Sequence, residues 1–185
     1  MTPDGADGDG RPGERVVVDR GTIEDVDATA ELWVDLARDQ RAHGSHLLAA
    51  PNRESAGDAV AHAVVTGGLL VARATDRGGG GDRTADGRDV VGFVTFGRES
   101  GRYRQDVERG SVYNLYVREA YRDAGVGSRL LHGAERALAE TGADLVSLEA
   151  MAGNLDARRF YERHGYHEHR VEMEKSLEAV GNDSD

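Results

Sequence analysis

Arg122-Asp123-Ala124-Gly125-Val126-Gly127 is the most informative segment of this 185-residue chain. It follows an apolar, strand-like segment at residues 112–117 and opens a helix-like segment that begins at Val126. Backbone N–H groups at such a turn have no partner within the helix, and the helix dipole favours negative charge there. Gly125 and Gly127 permit positive φ angles and let a ligand approach the backbone. The stretch therefore predicts a binding site for a phosphate-bearing ligand.

The composition restricts the partners that we expect for this protein. The chain carries 34 acidic and 23 basic residues, a formal net charge of −11, and its only lysine is Lys175. An acidic surface repels nucleic-acid backbones and anionic membranes, so we expect neither as a partner. The acid excess is typical of a halophilic protein, whereas a GC-rich genome alone explains only the preference for arginine. Cysteine is absent, which excludes disulfides, a thiolate nucleophile and a Cys metal site.

Both ends of the chain are predicted to be disordered tails. Residues 1–14 are rich in Gly, Asp and Pro and lack the apolar core of a secretory signal, and residues 179–185 are similarly polar. Between them we expect one domain over residues 15–178. Its Gly-rich residues 76–88 are predicted to form a flexible hairpin loop. No apolar run approaches the roughly 20 residues that span a bilayer, so a cytoplasmic protein is expected.

Hydrophobic periodicity predicts the element order β-α-α-β-β-β-α-β-α-β. This is an α/β (α+β) arrangement with a mixed sheet, antiparallel early in the chain and with a parallel crossover late. Thr22 and Asp25 resemble a capping box at the first helix, with Asp in place of Glu. The predicted strands cover residues 15–19, 69–74, 90–96, 110–117, 145–151 and 170–175, and the helices begin at Thr22, near Ser55, at Val126 and at Leu155.

Four features in the second half of the chain follow one another in a fixed order. They are the strand Asn114-Leu115-Tyr116-Val117, the turn Arg122-x-x-Gly125-x-Gly127, Leu148-Glu149, and Asn154-x-x-Ala157-x-x-Phe160-Tyr161-x-x-x-Gly165-Tyr166. This order resembles the GCN5-related N-acetyltransferase (GNAT) family, and most closely its ribosomal-protein N-terminal acetyltransferase branch. The resemblance covers residues 15–177 and is densest over 112–166. The turn matches the family's Q/R-x-x-G-x-G/A motif.

The resemblance implies acetyl-CoA as the acyl donor and no metal. The pantetheine arm would pair with the strand Leu115, Tyr116 and Val117, which requires a sheet splayed between residues 112–117 and 145–151. A backbone N–H near Leu115 would polarise the thioester carbonyl. Arg122 would add a cation, and Asn154 corresponds to the asparagine that bonds the cofactor arm. The pyrophosphate would bind the backbone of Asp123, Ala124, Gly125, Val126, Gly127 and Ser128.

The resemblance also implies direct attack of a primary amine on the thioester, with Tyr161 as general acid. The alternative for Tyr161 is a core aromatic that packs with Phe160. Glu149 is the candidate base, because a carboxylate within an apolar central strand is costly unless it is paired or used; the alternative is a structural salt bridge. Asn114 stands where relatives often have Asp or Glu and is not assigned as the base. Asp123 is unfavourable near a pyrophosphate and predicts weak cofactor binding at low salt.

The acceptor and the class of function are left with alternatives. One candidate acceptor is a protein N-terminus, which the presence of both Glu149 and Tyr161 favours. The other is a small amine, and the acidic surface of the protein would suit a cationic amine. A homodimer is compatible with either acceptor. The alternative function is a non-catalytic CoA-binding sensor or interaction module on the same fold. His164, His167 and His169 are interpreted as solvated or cap-region residues rather than a zinc site.

Overall fold

The computed structural model describes residues 16–74, 89–99 and 105–177. The predicted tails at 1–14 and 179–185 and the predicted loop at 76–88 lie outside these residues. The chain divides into two compact units, the first ending at Asn154 and the second beginning at Leu155. The single domain expected over residues 15–178 stays a prediction.

The first unit contains a five-stranded mixed sheet and three α-helices, which correspond to the first five predicted strands and the first three predicted helices. Short 3-10 turns precede α1 and α2 and follow β4. The elements are β1 (Val16–Arg20), α1 (Val26–Arg41), α2 (Arg53–Val65), β2 (Leu69–Ala74), β3 (Asp89–Arg98), β4 (Arg109–Val117), α3 (Val126–Glu140) and β5 (Leu145–Leu148).

The order of strands in the sheet is the order in the chain, β1-β2-β3-β4-β5. Neighbours from β1 to β4 are antiparallel, and β5 is parallel to β4. The helix α3 makes the crossover between the two parallel strands, because a parallel pair requires a long connection. The antiparallel-then-parallel arrangement predicted from the sequence is confirmed.

Helices cover both faces of this sheet. On one face α1 and α2 pack on the strands through Leu32, Val60, Val71 and Phe93. On the other face lies α3, whose buried side is the predicted apolar stripe. Its approach is close, since a Cβ added at Gly133 would lie 2.7 Å from the Cδ1 atom of Leu70. Leu69 and Leu70 face opposite sides because side chains alternate along a strand.

Near its C-terminus the chain differs from the prediction. In the second unit, α4 (Leu155–Arg163) is the helix that was expected, but residues 170–175 form no strand. Val171 and Met173 are 77% and 89% exposed. The alternation of these two residues with charged ones is a strand pattern, yet a strand also needs a partner for its backbone groups. No helix among the described residues has the length and hydrophobicity needed to cross a membrane.

Candidate functional site

A turn with two residues in the left-handed region joins β4 to α3. Asp123 has a φ angle of 58° and Gly125 one of 75°, and Gly125 is the N-cap of α3. The N–H of Arg129 donates to the Gly125 carbonyl at 3.1 Å, so the N–H groups of Val126 and Gly127 precede the first bond of the helix ladder. A Cβ added at Gly125 would meet no atom within 4 Å. An anion can therefore approach the N-terminus of α3 from this side.

The backbone conformation of the turn accounts for Asp123, whose carboxylate is expected to be unfavourable near a pyrophosphate. Among L-residues, Asp and Asn tolerate the left-handed conformation best. Asp123 is exposed, so salt in the solvent screens its carboxylate from a bound anion. Its conformation was not visible in the sequence, because only the glycines of the turn carry a recognisable signal for positive φ.

Arg122 connects the turn to β4 and α1. Its Nε donates to the Val117 carbonyl at 2.9 Å, and its Nη2 donates to Asp39 at 2.8 Å. The guanidinium carbon lies 5.5 Å from the centre of the Tyr116 ring, within the range of a cation–π contact. Burial alone would lower the pKa of Arg122, but the hydrogen bond to Asp39 and the other contacts outweigh it and raise the pKa. The guanidinium thus holds the base of the turn, which sequence reasoning had not anticipated.

Within the part of the chain that the structure describes, the second half of β4 has an edge without a strand partner, called here the open edge. Pairing of β4 with β5 runs from Arg109↔Leu145 to Val112↔Leu148 and ends there, while β4 continues to Val117. The predicted splay between these strands is confirmed. The N–H of Arg118 donates to the Val91 carbonyl of β3 at 2.8 Å. Strand amides alternate in direction, so those of Leu115 and Val117 point away from β3, towards the open edge. Arg122 already uses the Val117 carbonyl.

A β-bulge at Tyr113 marks the point where the open half of β4 begins. Thr95 pairs with Asn114 and Phe96 with Val112, so Tyr113 has no partner in β3. The extra residue re-aims the strand, and Tyr113 and Asn114 both line one cavity despite being adjacent. Asn114 Nδ2 donates to Thr95 Oγ1 at 2.9 Å. The bulge leaves no sign in the alternation of residues 110–117, so the sequence could not reveal it.

The cavity beside the bulge lies in the first unit. It has a volume of about 430 Å³, within the range of small-molecule sites. Trp33 of α1, the inner side of α2, residues 95–98 of β3 and the two β4 residues Tyr113 and Asn114 form its walls.

The sequence predicts Glu149 within a strand, and this prediction is wrong. Glu149 is the first residue after β5, which ends at Leu148, and it is exposed. The cost of burying a carboxylate therefore gives no argument for a catalytic role. What remains in favour of Glu149 is its position, directly after the last paired residues of β4 and β5. Asn154 is half-buried, and its N–H donates to the Met151 carbonyl at 2.9 Å.

Tyr161 lies on α4 in the second unit. Its ring makes edge-to-face contacts with Phe160, at a centroid distance of 5.2 Å, and with Tyr166, at 5.8 Å. Burial raises the pKa of Tyr161 to about 12. The packing that was the alternative for this residue is thus present, and the hydroxyl also keeps its proton throughout the neutral range. A packed ring and a protonated hydroxyl are compatible with a general acid.

The histidines form no metal site in the part of the chain that the structure describes. No group of three His, Cys, Asp or Glu side chains there is placed to hold a metal ion. His164 Nδ1 lies 2.7 Å from the Phe160 carbonyl, one turn back along the helix. His167 and His169 are exposed.

Comparison with known proteins connects this geometry to a family. The profile of the acetyltransferase (GNAT) family matches residues 74–166, half of the chain. The structure of a transcriptional regulator from Bacillus halodurans C-125 is similar, with a TM-score of 0.63, 21% identity, and coverage of 87% of this chain and 99% of the other. A GCN5-related N-acetyltransferase from Ralstonia eutropha JMP134 gives a TM-score of 0.64, 20% identity, and coverage of 88% and 99%. No curated protein matches significantly in sequence.

Proposed function

Because this chain belongs to the GNAT acetyltransferase family, we propose that it transfers an acetyl group from acetyl-CoA to a primary amine. The observation that carries the proposal is the sequence of an open β4 edge followed by a turn with left-handed residues at the N-terminus of α3. Acetyl-CoA has a pantetheine arm with amide groups, which can pair with an open strand edge. It also has a pyrophosphate, which can bind at a helix N-terminus.

The residues at both surfaces suit the groups of acetyl-CoA. The pyrophosphate would lie against the backbone of residues 123–128, where the helix dipole favours negative charge. The arm would pair with β4 through the backbone groups of Leu115 and the N–H of Val117, since Arg122 occupies the Val117 carbonyl. The N–H of Leu115 would then polarise the thioester carbonyl, and Asn154 would bond the arm.

The transfer requires two proton movements. The amine nitrogen attacks the thioester carbonyl carbon, the C–S bond breaks, and the CoA sulfur leaves with the bonding electron pair. Glu149 would accept the proton that the amine loses, and its exposed position leaves it open to a large acceptor such as a protein N-terminus. Tyr161 would donate a proton to the sulfur, and its raised pKa keeps that proton available at neutral pH.

Two glycines at opposite ends of α3 provide a matched test of the pyrophosphate site. Gly125 and Gly142 have φ angles of 75° and 86°, and a Cβ at either meets no atom within 4 Å. Gly125→Ala and Gly142→Ala therefore introduce the same backbone strain, of about 1–2 kcal/mol. We expect Gly125→Ala to weaken acetyl-CoA binding about tenfold and Gly142→Ala to leave it unchanged, measured by titration calorimetry in molar salt.

Two results of that titration, and one of an assay for CoA release, would contradict the proposal in different ways. If the unmodified protein binds no acetyl-CoA at any salt concentration, the proposed function is wrong. Equal losses in the two variants would place the pyrophosphate elsewhere. Binding with no CoA release in the presence of any amine would favour the non-catalytic CoA-binding module.

Asp39→Asn distinguishes a structural Arg122 from one that contacts the pyrophosphate. If Arg122 acts by holding the turn, loss of its partner loosens the turn, and acetyl-CoA affinity falls about threefold, the value of an exposed ion pair. If Arg122 instead contacts the phosphate, removing a nearby carboxylate raises the affinity. The control is Asp35→Asn, on the same helix, whose partner is Arg38; it removes the same charge and leaves Arg122 paired. Titration calorimetry gives the sign.

A further inference from the structure

We propose that the cavity between α2 and the bulge of β4 selects acceptors in which the amine is attached to an uncharged, apolar group. The inference rests on the proposed transfer of acetyl groups to a primary amine, and it names the class of that amine. It is carried by the walls of the cavity, by their charge, and by the position of the cavity along β4.

Most of the surface that lines the cavity is apolar, and short side chains leave space in it. The α2 side of the cavity is lined mainly by small or branched aliphatic residues, with His62 and Thr66 near the end of the helix, and Trp33 and Phe96 add aromatic surface. Because Ala56, Ala59 and Ala63 carry short side chains, the volume of about 430 Å³ stays open instead of being filled from within. An apolar group of a ligand is buried there against the aliphatic and aromatic part of the lining.

Among the residues that the structure describes, the lining contains no carboxylate, although the chain as a whole has 34 Asp and Glu residues. Arg98, a guanidinium among the described lining residues, donates to the Thr141 carbonyl at 2.8 Å and forms an ion pair with Glu108. A second cationic group on an acceptor would therefore enter an apolar cavity without an anionic partner, which is costly. The acidic surface outside the cavity favours the approach of cationic acceptors, but the cavity itself disfavours an acceptor with a second cationic group.

The polar floor places the cavity next to the open edge of β4. Asn114 is held by its hydrogen bond to Thr95, which is 5% exposed. The next residue, Leu115, points its amide towards the open edge, where the arm of acetyl-CoA is proposed. An acceptor whose apolar group fills the cavity thus has its amine beside the strand position of the thioester.

The cavity contains its own reporter, because Trp33 is the only tryptophan in the chain. The probes are 2-phenylethylamine, with one charge and an apolar group, and 1,4-diaminobutane, with two charges. We expect 2-phenylethylamine to change the Trp33 fluorescence at a concentration at least about tenfold lower than the diamine. In the acetylation assay, kcat/KM should favour 2-phenylethylamine by a similar factor.

A pair of α2 variants ties the preference to the cavity. Ala59→Glu adds a carboxylate to the lining at an exposed helix position, and Val65→Glu adds one to the same helix at a residue that is 82% exposed and outside the lining. Ala59→Glu should reduce the preference for 2-phenylethylamine about tenfold in both assays, and Val65→Glu should leave it within about twofold.

The fluorescence titration tests the selection of an apolar group, and the acetylation assay tests the proposed function, so the failure of one can be told from the failure of the other. Equal or tighter binding of the diamine to the unmodified protein, or an unchanged preference in Ala59→Glu, overturns the selection of an apolar group. If acetyl-CoA is not bound or not consumed, the proposed function is wrong. The fluorescence titration then still decides whether the cavity prefers the apolar amine.

Discussion

Tyr161→Phe is expected to lower kcat for acetyl transfer about a hundredfold or more while leaving the affinity for acetyl-CoA nearly unchanged. The phenylalanine ring keeps the edge-to-face contacts with Phe160 and Tyr166, so the substitution removes the hydroxyl and little packing. Steady-state kinetics with a saturating amine measures kcat, and calorimetry measures the affinity. Tyr166→Phe, which removes the neighbouring hydroxyl, is the control and should retain kcat. An unchanged kcat in Tyr161→Phe would leave Tyr161 with a packing role alone.

The raised pKa of Tyr161 adds a dependence on pH to this prediction. Burial moves the pKa from 10.0 to about 12, so folding favours the protonated form. The associated stability is fully present below pH 10 and is lost as the pH rises through 12. Between pH 6 and 9, roughly, ionisation of Tyr161 should therefore cause no loss of kcat. Tyr161→Phe should lack the alkaline loss of stability that this group contributes, which thermal denaturation at several pH values would show.

Asp25→Ala is expected to lower the free energy of unfolding by about 3–5 kcal/mol, the typical cost of leaving a buried charge without its partner. Arg73 Nη1 and Nη2 donate to the two carboxylate oxygens of Asp25 at 2.5 and 2.7 Å. The two side chains are only 8% and 0% exposed. The same carboxylate accepts hydrogen bonds from the backbone N–H and hydroxyl of Thr22. Urea denaturation measures the loss.

Two further variants show whether the loss comes from the orphaned charge. Asp35→Ala removes an exposed ion pair with Arg38 from the same helix and should cost less than about 1 kcal/mol. The double variant Asp25→Leu with Arg73→Met leaves no buried charge and should recover most of the stability. A double variant as unstable as Asp25→Ala would mean that the contacts with Thr22, rather than the ion pair, hold this region.

Acid should remove part of the stability that Asp25 contributes. Burial alone would raise the pKa of Asp25, but the hydrogen bonds from Arg73 and Thr22 outweigh it and lower the pKa below 3.8. The stabilisation is therefore present above that pH and is lost as the pH falls through the lowered value. Asp25→Ala should lack this acid-dependent part, so the difference in stability between the two proteins should narrow as the pH falls through the lowered pKa of Asp25.

Local patterns in the sequence were sufficient for most of the fold. The stripe of α3, the capping interaction between Thr22 and Asp25, and the glycine turn all depend on residues close in the chain, so periodicity and spacing revealed them. The parallel crossover followed from a strand, a helix and a second strand in succession. These features also identified the family resemblance, which the match over residues 74–166 confirmed.

Features that depend on distant residues were not predictable. The partner of Asp25 is Arg73, 48 residues away, and the partner of Arg122 is Asp39, 83 residues away. No local sequence pattern indicates such pairs, because the sequence around a charged residue in a strand-like segment is the same whether that residue is paired or solvated. The same reason applies to Glu149: the apolar residues before it indicated a buried strand, whereas β5 ends one residue earlier and the carboxylate is exposed.

The open half of β4 also has a consequence for association between molecules. Unpaired strand edges are the places where a strand of another chain adds to a sheet and aggregation begins. Residues 113–117 have such an edge, and covering it permanently would remove the surface on which the proposed arm binds. A net charge of −11 makes copies of the chain repel one another. The acidic composition would thus protect an exposed edge from self-association, and the protection should weaken wherever salt screens the charges.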